Sequence, residues 1–217
     1  QSCRWSYNLY AEEKNNPGQL MPLESDENGT SIFSSKDLCL IKEIPEIIDM
    51  GVDSLKIEGR LKTEYYVASV VNAYRTAIDD YMKDPENYDY TKYLNELEKV
   101  KTRPFTTFYF NDRKNEDIQD FSGKQYNDKY EFGGKIVEAK EEKSVIEIKN
   151  KLTVGDTLEI LKPGQFEPIE FKIEQLWDYE TGEKIDFVSP GVKGQKVLMN
   201  IPVKCENNWI MRRKKGN

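Results

Sequence analysis

The clearest hydrophobic pattern in the chain lies between residues 67 and 81. Apolar and aromatic residues recur there at the 3.6-residue spacing of an amphipathic helix: Val67, Val70, Val71, Tyr74, Ala77, Ile78 and Tyr81. Asp84-Pro85 follows the stripe and is expected to close the helix, because proline cannot continue a hydrogen-bonded turn. The pattern therefore predicts one long helix with a single apolar face.

Residues 30–82 as a whole predict a β-α-β-α order. We expect a short strand at 31–33, a helix over 38–44, a second helix between Pro45 and Gly51, and a strand over 52–57 before the long helix. Strands that alternate with helices indicate a parallel sheet or an α/β barrel. Two strands cannot cover such helices, so we expect the rest of that sheet to lie upstream of the sequence.

The remaining chain predicts a connector and then an all-β part. In the connector, residues 84–130, Thr91 is expected to cap a helix, and an aromatic run follows over 103–110. Beyond residue 130, apolar residues alternate with polar ones at period two, and turn pairs such as Gly155-Asp156 and Pro163-Gly164 separate the runs. We predict three parts: α/β over 1–83, a connector over 84–130, and a small antiparallel β-barrel over 131–217.

The composition narrows the possible chemistry. The 217 residues contain three cysteines and no histidine, which excludes serine and cysteine nucleophiles activated by an imidazole of this chain. An odd number of thiols favours a reducing compartment. The sequence shows no run of 18 apolar residues and does not start with a signal segment, so we expect a cytoplasmic protein without a membrane span.

The charge is uneven along the chain. A net charge of −7 argues against a nucleic-acid binder, but the chain ends in a basic cluster. Arg212, Arg213, Lys214 and Lys215 are candidate RNA contacts, and the alternative is a solvated tail.

Two predicted strand ends carry reactive side chains, and ligands bind at such ends in parallel α/β folds. Lys36, Asp37 and Cys39 follow the first strand. Lys56 and Glu58 lie two apart on the second strand, so they are expected to point the same way and to shift each other's pKa. A structural ion pair is the alternative.

Arg60 and the cysteines complete the candidates. Arg60 offers a planar fork for a carboxylate or a phosphate. A lone cysteine is most often a small core residue. That interpretation is the one we adopt for Cys205, while Cys3 and Cys39 stay open on the residues alone.

Five segments together resemble the U32 family, first described as collagenase-like peptidases. They are Cys3-Arg4-Trp5, Ser35-Lys36-Asp37-Leu38-Cys39, Asp53-Ser54-Leu55-Lys56-Ile57-Glu58-Gly59-Arg60, Tyr65-Tyr66-Val67-Ala68 and Arg103-Pro104-Phe105-Thr106-Thr107. The resemblance implies that the α/β part is the last portion of a TIM-like barrel. It also implies a [4Fe–4S] cluster on four cysteines. Cys3 and Cys39 match two of these ligands, and the other two lie in an upstream motif absent from this sequence.

The same resemblance implies an activity. Characterised relatives are oxygen-independent hydroxylases, and this chain is most similar to the branch that acts on the tRNA wobble uridine with prephenate as hydroxyl donor. Arg4, Lys36 and Arg60 are then candidates for the dicarboxylate, and Lys36, Asp37, Lys56 and Glu58 are candidate catalytic residues. tRNA and a paralogous U32 protein are the expected partners.

Two other functions remain open on the sequence alone. The first is proteolysis, which would have to rest on upstream residues because this chain has no histidine. The second is a non-catalytic RNA- or protein-binding module formed by residues 131–217. For the hydroxylase interpretation, two cysteine ligands cannot hold the cluster by themselves, so we expect the 217-residue chain alone to be inactive.

Overall fold

A computed structural model describes residues 5–15, 17–18, 20–26, 29–31, 35–111, 129–191 and 194–215. The chain forms two compact units, each made of two segments. The first unit comprises Gln1–Cys39 and Arg103–Tyr126, and the second comprises Leu40–Thr102 and Asn127–Asn217. The division into 1–83, 84–130 and 131–217 stays a prediction.

The described residues of the first unit form three two-stranded sheets. Its strands are β1 (Tyr10–Glu12), β2 (Leu20–Pro22), β3 (Glu24–Asp26), β4 (Gly29–Ser31), β5 (Asp37–Leu38) and β6 (Phe105–Thr106). β1 pairs with β2 and β3 with β4, both antiparallel, whereas β5 pairs with β6 in parallel. Of the strand predicted at 31–33, Ser31 ends β4 and the other two residues lie outside the described residues.

The helix predicted over 38–44 is wrong. Asp37–Leu38 is a strand, and the next helix begins only at Ile44. The reason is pairing across the chain: the Asp37 and Cys39 amides donate to the carbonyls of Pro104 and Thr106, at 3.0 and 2.9 Å. A partner about 67 residues away in sequence thus decides the local conformation, which a local pattern cannot reveal.

The helices of the second unit follow the sequence pattern, except that Thr91 is the first residue of its helix and does not cap it. They are α1 (Ile44–Asp49), α2 (Glu64–Lys83) and α3 (Thr91–Leu97), with a 3₁₀ turn at Pro85–Asn87. The predicted roles of Pro45 and Gly51 are confirmed, because Pro45 lies in the first turn of α1 and Gly51 follows its end at a φ of 76°. The Thr63 hydroxyl caps α2 by accepting from the Tyr66 amide at 3.2 Å. The described helices are too short or too polar to cross a bilayer.

The strand predicted over 52–57 is wrong for the described structure. Residues 52–59 adopt no regular structure, and Val52 and Leu55 are exposed. No other described strand pairs with this segment, so nothing holds it in a ladder. Within the described residues, parallel pairing is limited to β5 and β6, and the TIM-like part of the predicted fold therefore stays a proposal.

The second half of the chain, Tyr130–Lys214, is antiparallel β, as predicted, and is named the β-domain. Its strands are β7 (Tyr130–Glu138), β8 (Ser144–Ile148), β9 (Leu152–Thr153), β10 (Thr157–Leu161), β11 (Ile169–Lys172), β12 (Leu176–Asp178), β13 (Lys184–Ile185), β14 (Phe187–Val188), β15 (Lys196–Met199) and β16 (Ile210–Lys214). Eight of them form one sheet in the order β11-β10-β16-β7-β8-β15-β12-β13, and β9 pairs with β14. The described sheet has two free ends, so it is a curled half-barrel with a core that includes Ile136, Ile146, Leu158, Leu176 and Met211.

Candidate functional site

The first candidate group lies on and beside β5. Lys36, Asp37 and Cys39 are all half-buried there. One Asp37 carboxylate oxygen accepts a hydrogen bond from the Arg103 amide at 3.0 Å, and the Arg103 guanidinium donates to the Ser35 carbonyl at 2.9 Å. Arg103 and Asp37 thus join the two strands beyond their backbone pairing. Asp37, predicted as catalytic, has at least this structural role.

Arg103 is a member of this group that the sequence analysis did not assign. It belongs to the Arg103-Pro104-Phe105-Thr106-Thr107 segment that carries part of the family resemblance. Its position could not be inferred from spacing, because the parallel pairing of β5 with β6 joins residues far apart in the chain. The structure places its backbone and its side chain against the loop that leads to Cys39.

The second candidate group is Lys56, Glu58 and Arg60. All three are exposed, and Glu58 accepts a hydrogen bond from the Arg60 amide at 2.9 Å. The prediction that Lys56 and Glu58 share one face of a strand is wrong here, because the segment is not a strand. These residues belong to the second compact unit, whereas Lys36, Asp37 and Cys39 belong to the first.

The cysteines separate into different environments. Cys205 is buried in the hydrophobic core, with its Sγ 3.5 Å from the Ser144 hydroxyl, so its predicted role as a core residue is confirmed. Cys39 is half-buried. Cys3 and Arg4 lie outside the described residues, and their predicted roles stay predictions.

The described residues do not by themselves fit an iron–sulfur cluster. They contain no group of three or more cysteine, histidine, aspartate or glutamate side chains that could hold a metal ion. Cys39 is the one described cysteine outside the β-domain core. A cluster needs thiolates from elsewhere in the protein, so no chemical step is assigned to it on this geometry.

The prediction that Arg212 contacts RNA is wrong, because its side chain is fully buried. Its Nε donates to Glu159 at 2.7 Å, and its Nη2 donates to Glu96 at 3.1 Å. Burial lowers the pKa of Arg212, but the hydrogen bond and charge of Glu96, with the charges of Tyr65 and Glu159, outweigh it and raise the pKa above its ordinary value. Arg212 is thus the centre of a buried ion cluster joining α3 to the sheet.

The other members of the basic cluster are engaged to different degrees. Arg213 is half-buried, 2.8 Å from Asp156 and paired with Glu131. Lys215 is also half-buried, with its Nζ 3.9 Å from Glu131. Lys214 is exposed. The cluster is therefore not a solvated basic tail, and RNA contact by Arg213, Lys214 and Lys215 stays a prediction.

Comparison with known proteins decides the family. The model for peptidase family U32 matches residues 1–120, and the model for the peptidase family U32 C-terminal domain matches residues 128–212. The chain belongs to the U32 family. The resemblance found in the sequence motifs is thereby confirmed, and the antiparallel half-barrel corresponds to the family's C-terminal domain.

Several relatives of this U32 chain carry functional names. The chain is 38% identical over 189 residues to tRNA hydroxylation protein P1 of Bacillus subtilis (strain 168), an alignment that covers 86% of this chain and 44% of that protein. It is 35% identical over 202 residues to tRNA hydroxylation protein P of Escherichia coli (strain K12), covering 92% and 43%. An uncharacterized protease of Methanocaldococcus jannaschii is 37% identical over 169 residues, covering 74% and 39%. This U32 chain thus spans less than half the length of these relatives.

Proposed function

We propose that this chain is part of a tRNA hydroxylase that forms 5-hydroxyuridine at the wobble position without molecular oxygen. One observation carries the proposal: two relatives named tRNA hydroxylation proteins align with 86% and 92% of the chain. These alignments extend across most of both regions matched by the U32 family models. The proposed activity belongs to the whole protein. This chain is less than half as long as either of the two relatives.

The proposed cofactor is a [4Fe–4S] cluster held in part by Cys39. When bound, such a cluster supplies electron-transfer chemistry. The Cys39 amide donates to the Thr106 carbonyl at 2.9 Å, which fixes the backbone of this ligand. Cys3 is the proposed second ligand, and the remaining thiolates would come from the rest of the protein. The 217-residue chain alone should therefore take up no stable cluster when reconstituted with iron and sulfide, and a brown protein with visible absorbance would refute this.

The proposed hydroxyl donor is prephenate, a dicarboxylate. Arg4, Lys36 and Arg60 are the cations proposed to bind it, because a guanidinium or ammonium group pairs with a carboxylate. Lys56 and Glu58 are proposed as catalytic residues beside the bound prephenate. In the full-length protein, we propose that residues 1–83 belong to the last portion of a TIM-like barrel, whose remaining part would cover Val52 and Leu55, which are exposed in this structure. Normal hydroxylation by full-length Arg60→Ala protein would rule out the donor-binding role of Arg60.

The partners and location proposed for the full-length protein are tRNA, a paralogous U32 protein and the cytoplasm. Binding of tRNA can be measured with the full-length protein. Its affinity for tRNA should fall steeply as the salt concentration rises. Co-purification of a second U32 protein with the tagged full-length protein would support the paralogue. Its absence under conditions that preserve activity would exclude a stable complex.

The deciding experiment measures 5-hydroxyuridine in tRNA by mass spectrometry from cells that lack the intact gene. We expect the modified nucleoside to disappear and to return with the wild-type gene. A Cys39→Ala gene should fail to restore it. A Cys205→Ala gene should restore it, because Cys205 is a core residue and alanine is a small apolar replacement. Unchanged 5-hydroxyuridine in the deletion strain would reject the proposal.

Proteolysis is the second candidate, favoured by the protease name of the Methanocaldococcus jannaschii relative. It requires that purified full-length protein degrade gelatin. The absence of histidine from this chain means that a base for peptide hydrolysis would come from another residue type or from the rest of the protein. Equal gelatin cleavage by a mock preparation from cells that lack the gene would indicate a contaminant.

A further inference from the structure

A long groove runs along helix α2 inside the second compact unit. One wall is the face of α2 from Glu64 to Asp79, and the other is built by the β-domain at residues 161–166 and by β16. Its volume is about 850 Å³. The Asn72 side chain donates to the Gln165 carbonyl at 3.2 Å, which ties the helix to the opposite wall. The groove shares no residue with the candidate catalytic groups.

The shape of the groove favours a polymer segment over a compact ligand. The helical wall from Glu64 to Asp79 is about 22 Å long at 1.5 Å per residue. A volume near 850 Å³ spread over that length leaves a narrow channel. A narrow, elongated channel matches the apolar face of a helix laid along it, which is a common mode of peptide recognition.

The floor of the groove is aliphatic. Val67 and Val71 lie one turn apart on α2 and are 37% and 45% exposed. Leu161 and Ile210 face them from the β-domain. Single-stranded nucleic acid is usually held by aromatic faces on which bases stack, and the one aromatic residue of this lining, Phe166, already packs edge-on against Tyr93. The floor therefore favours a protein segment over RNA.

The rim of the groove is positive. Four cationic side chains line it, against two carboxylates: Lys62, Arg75, Lys135 and Lys162, against Glu64 and Asp79. Both carboxylates already pair, Glu64 with Lys135 and Asp79 with Arg75. These pairs are partly exposed and therefore weak. A partner with acidic residues beside its apolar face would complement the excess positive charge, which speeds association and selects against basic partners.

We propose that this groove docks an amphipathic helix of a partner protein, with acidic residues flanking its apolar face. The apolar face packs on Val67, Val71 and Leu161 above the buried Ile210, and the acidic flank lies toward Lys162. This surface is independent of the tRNA-hydroxylase proposal, since it requires neither a cluster nor a substrate.

The test uses the full 217-residue chain and two synthetic helices of about 15 residues, the length that spans the groove. Both peptides carry leucine on one face. One has glutamate and the other has lysine at every remaining position. Fluorescence anisotropy should show saturable binding of the glutamate peptide and at least about tenfold weaker binding of the lysine peptide, since 1.4 kcal/mol suffices for that ratio. No saturable binding of the glutamate peptide, or equal binding of both, would overturn the proposal.

Matched variants locate the binding. Val71→Glu should weaken the glutamate peptide about tenfold or more, because it places a charge on the floor. Val52→Glu is the control, since Val52 is a similarly exposed valine outside the groove. Lys162→Glu should weaken the glutamate peptide and strengthen the lysine peptide, and this reversal holds even if Val71→Glu perturbs folding. Equal loss in Val52→Glu and Val71→Glu would overturn the assignment. The assignment would also be overturned if a uridine oligonucleotide bound in a way that depends on Val71 and neither peptide bound.

Discussion

Replacing the buried Arg212 by methionine should destabilise the second unit strongly. Arg212 is fully buried between Glu96 of α3 and Glu159 of β10, whose side chains are 7% and 9% exposed. Methionine fills similar space but leaves the two carboxylates without the shared cation. Removing one partner of a buried ion pair costs about 3–5 kcal/mol. Because Lys99 lies 3.0 Å from Glu96 and still neutralises part of the charge, we expect a loss near the lower end, about 3 kcal/mol.

Thermal and urea unfolding measure this loss, followed by far-UV circular dichroism and by the fluorescence of the buried Trp209. A loss of about 3 kcal/mol lowers the melting temperature by about 6–12 °C for a domain of this size. The control is Arg213→Met, the next residue on the strand. It also pairs with acidic side chains, but it is 20% exposed and Arg212 is not, so solvent screens the carboxylates left behind and the loss should be clearly smaller than for Arg212→Met.

A third variant distinguishes the effect of unpaired buried carboxylates from the effect of lost packing. Arg212→Met combined with Glu96→Leu and Glu159→Leu removes the whole cluster, and buried ion clusters replaced by apolar residues are often neutral or stabilising. We expect most of the lost stability to return. If Arg212→Met costs no more than Arg213→Met, or if the triple variant is no more stable than the single one, the reasoning from buried charge fails.

Two further predictions concern backbone packing and pH. Gly134→Ala should destabilise the chain by about 1–3 kcal/mol, because the added carbon would lie 2.8 Å from a backbone carbonyl oxygen on β8. Gly133→Ala is the control, because its added carbon would lie 3.4 Å from its nearest atoms. It should cost clearly less stability in the same urea titration. Hydrogen bonds from Lys92 and Tyr93 lower the pKa of Asp80 below 3.8, so its stabilisation is complete above that pH and disappears as pH falls through the lower folded value. Melting temperatures measured at about pH 5 and about pH 2 should therefore drop more for wild type than for Asp80→Asn, and equal drops would contradict this.

The elements that were predicted correctly are marked by patterns within their own stretch of sequence. The period of α2 extends over many residues, and Pro45 and Gly51 mark the ends of α1 by their own conformational limits. The β-domain has alternating residues and frequent turns, which do not depend on distant parts of the chain. The failures at 38–44 and 52–57 are apolar runs of ambiguous period, where tertiary pairing decides the structure. Leu38 pairs with Thr106 in a strand, whereas residues 52–57 pair with no strand among the described residues.

The candidate site was harder to predict than the fold. The motifs identified the U32 family correctly, because they compare whole segments and not single side chains. The role of Arg212 could not be inferred, since a run of basic residues normally faces solvent. A β-bulge between Met211 and Arg212 shifts the register against β7, and both residues are buried. Period two alone would have placed them on opposite faces.

The position of β16 has a consequence for how the protein is made. This strand is the last one along the described chain, yet it lies between β10 and β7 in the sheet. A chain that has left the ribosome only as far as residue 201 would hold β10–β11 and β7–β8 as separate pieces, each with an open edge where β16 belongs. Arg212, which joins the sheet to α3, arrives with that same strand. Assembly of this sheet therefore waits for the five residues of β16, Ile210–Lys214, and until then both edges are exposed to pairing with other nascent chains.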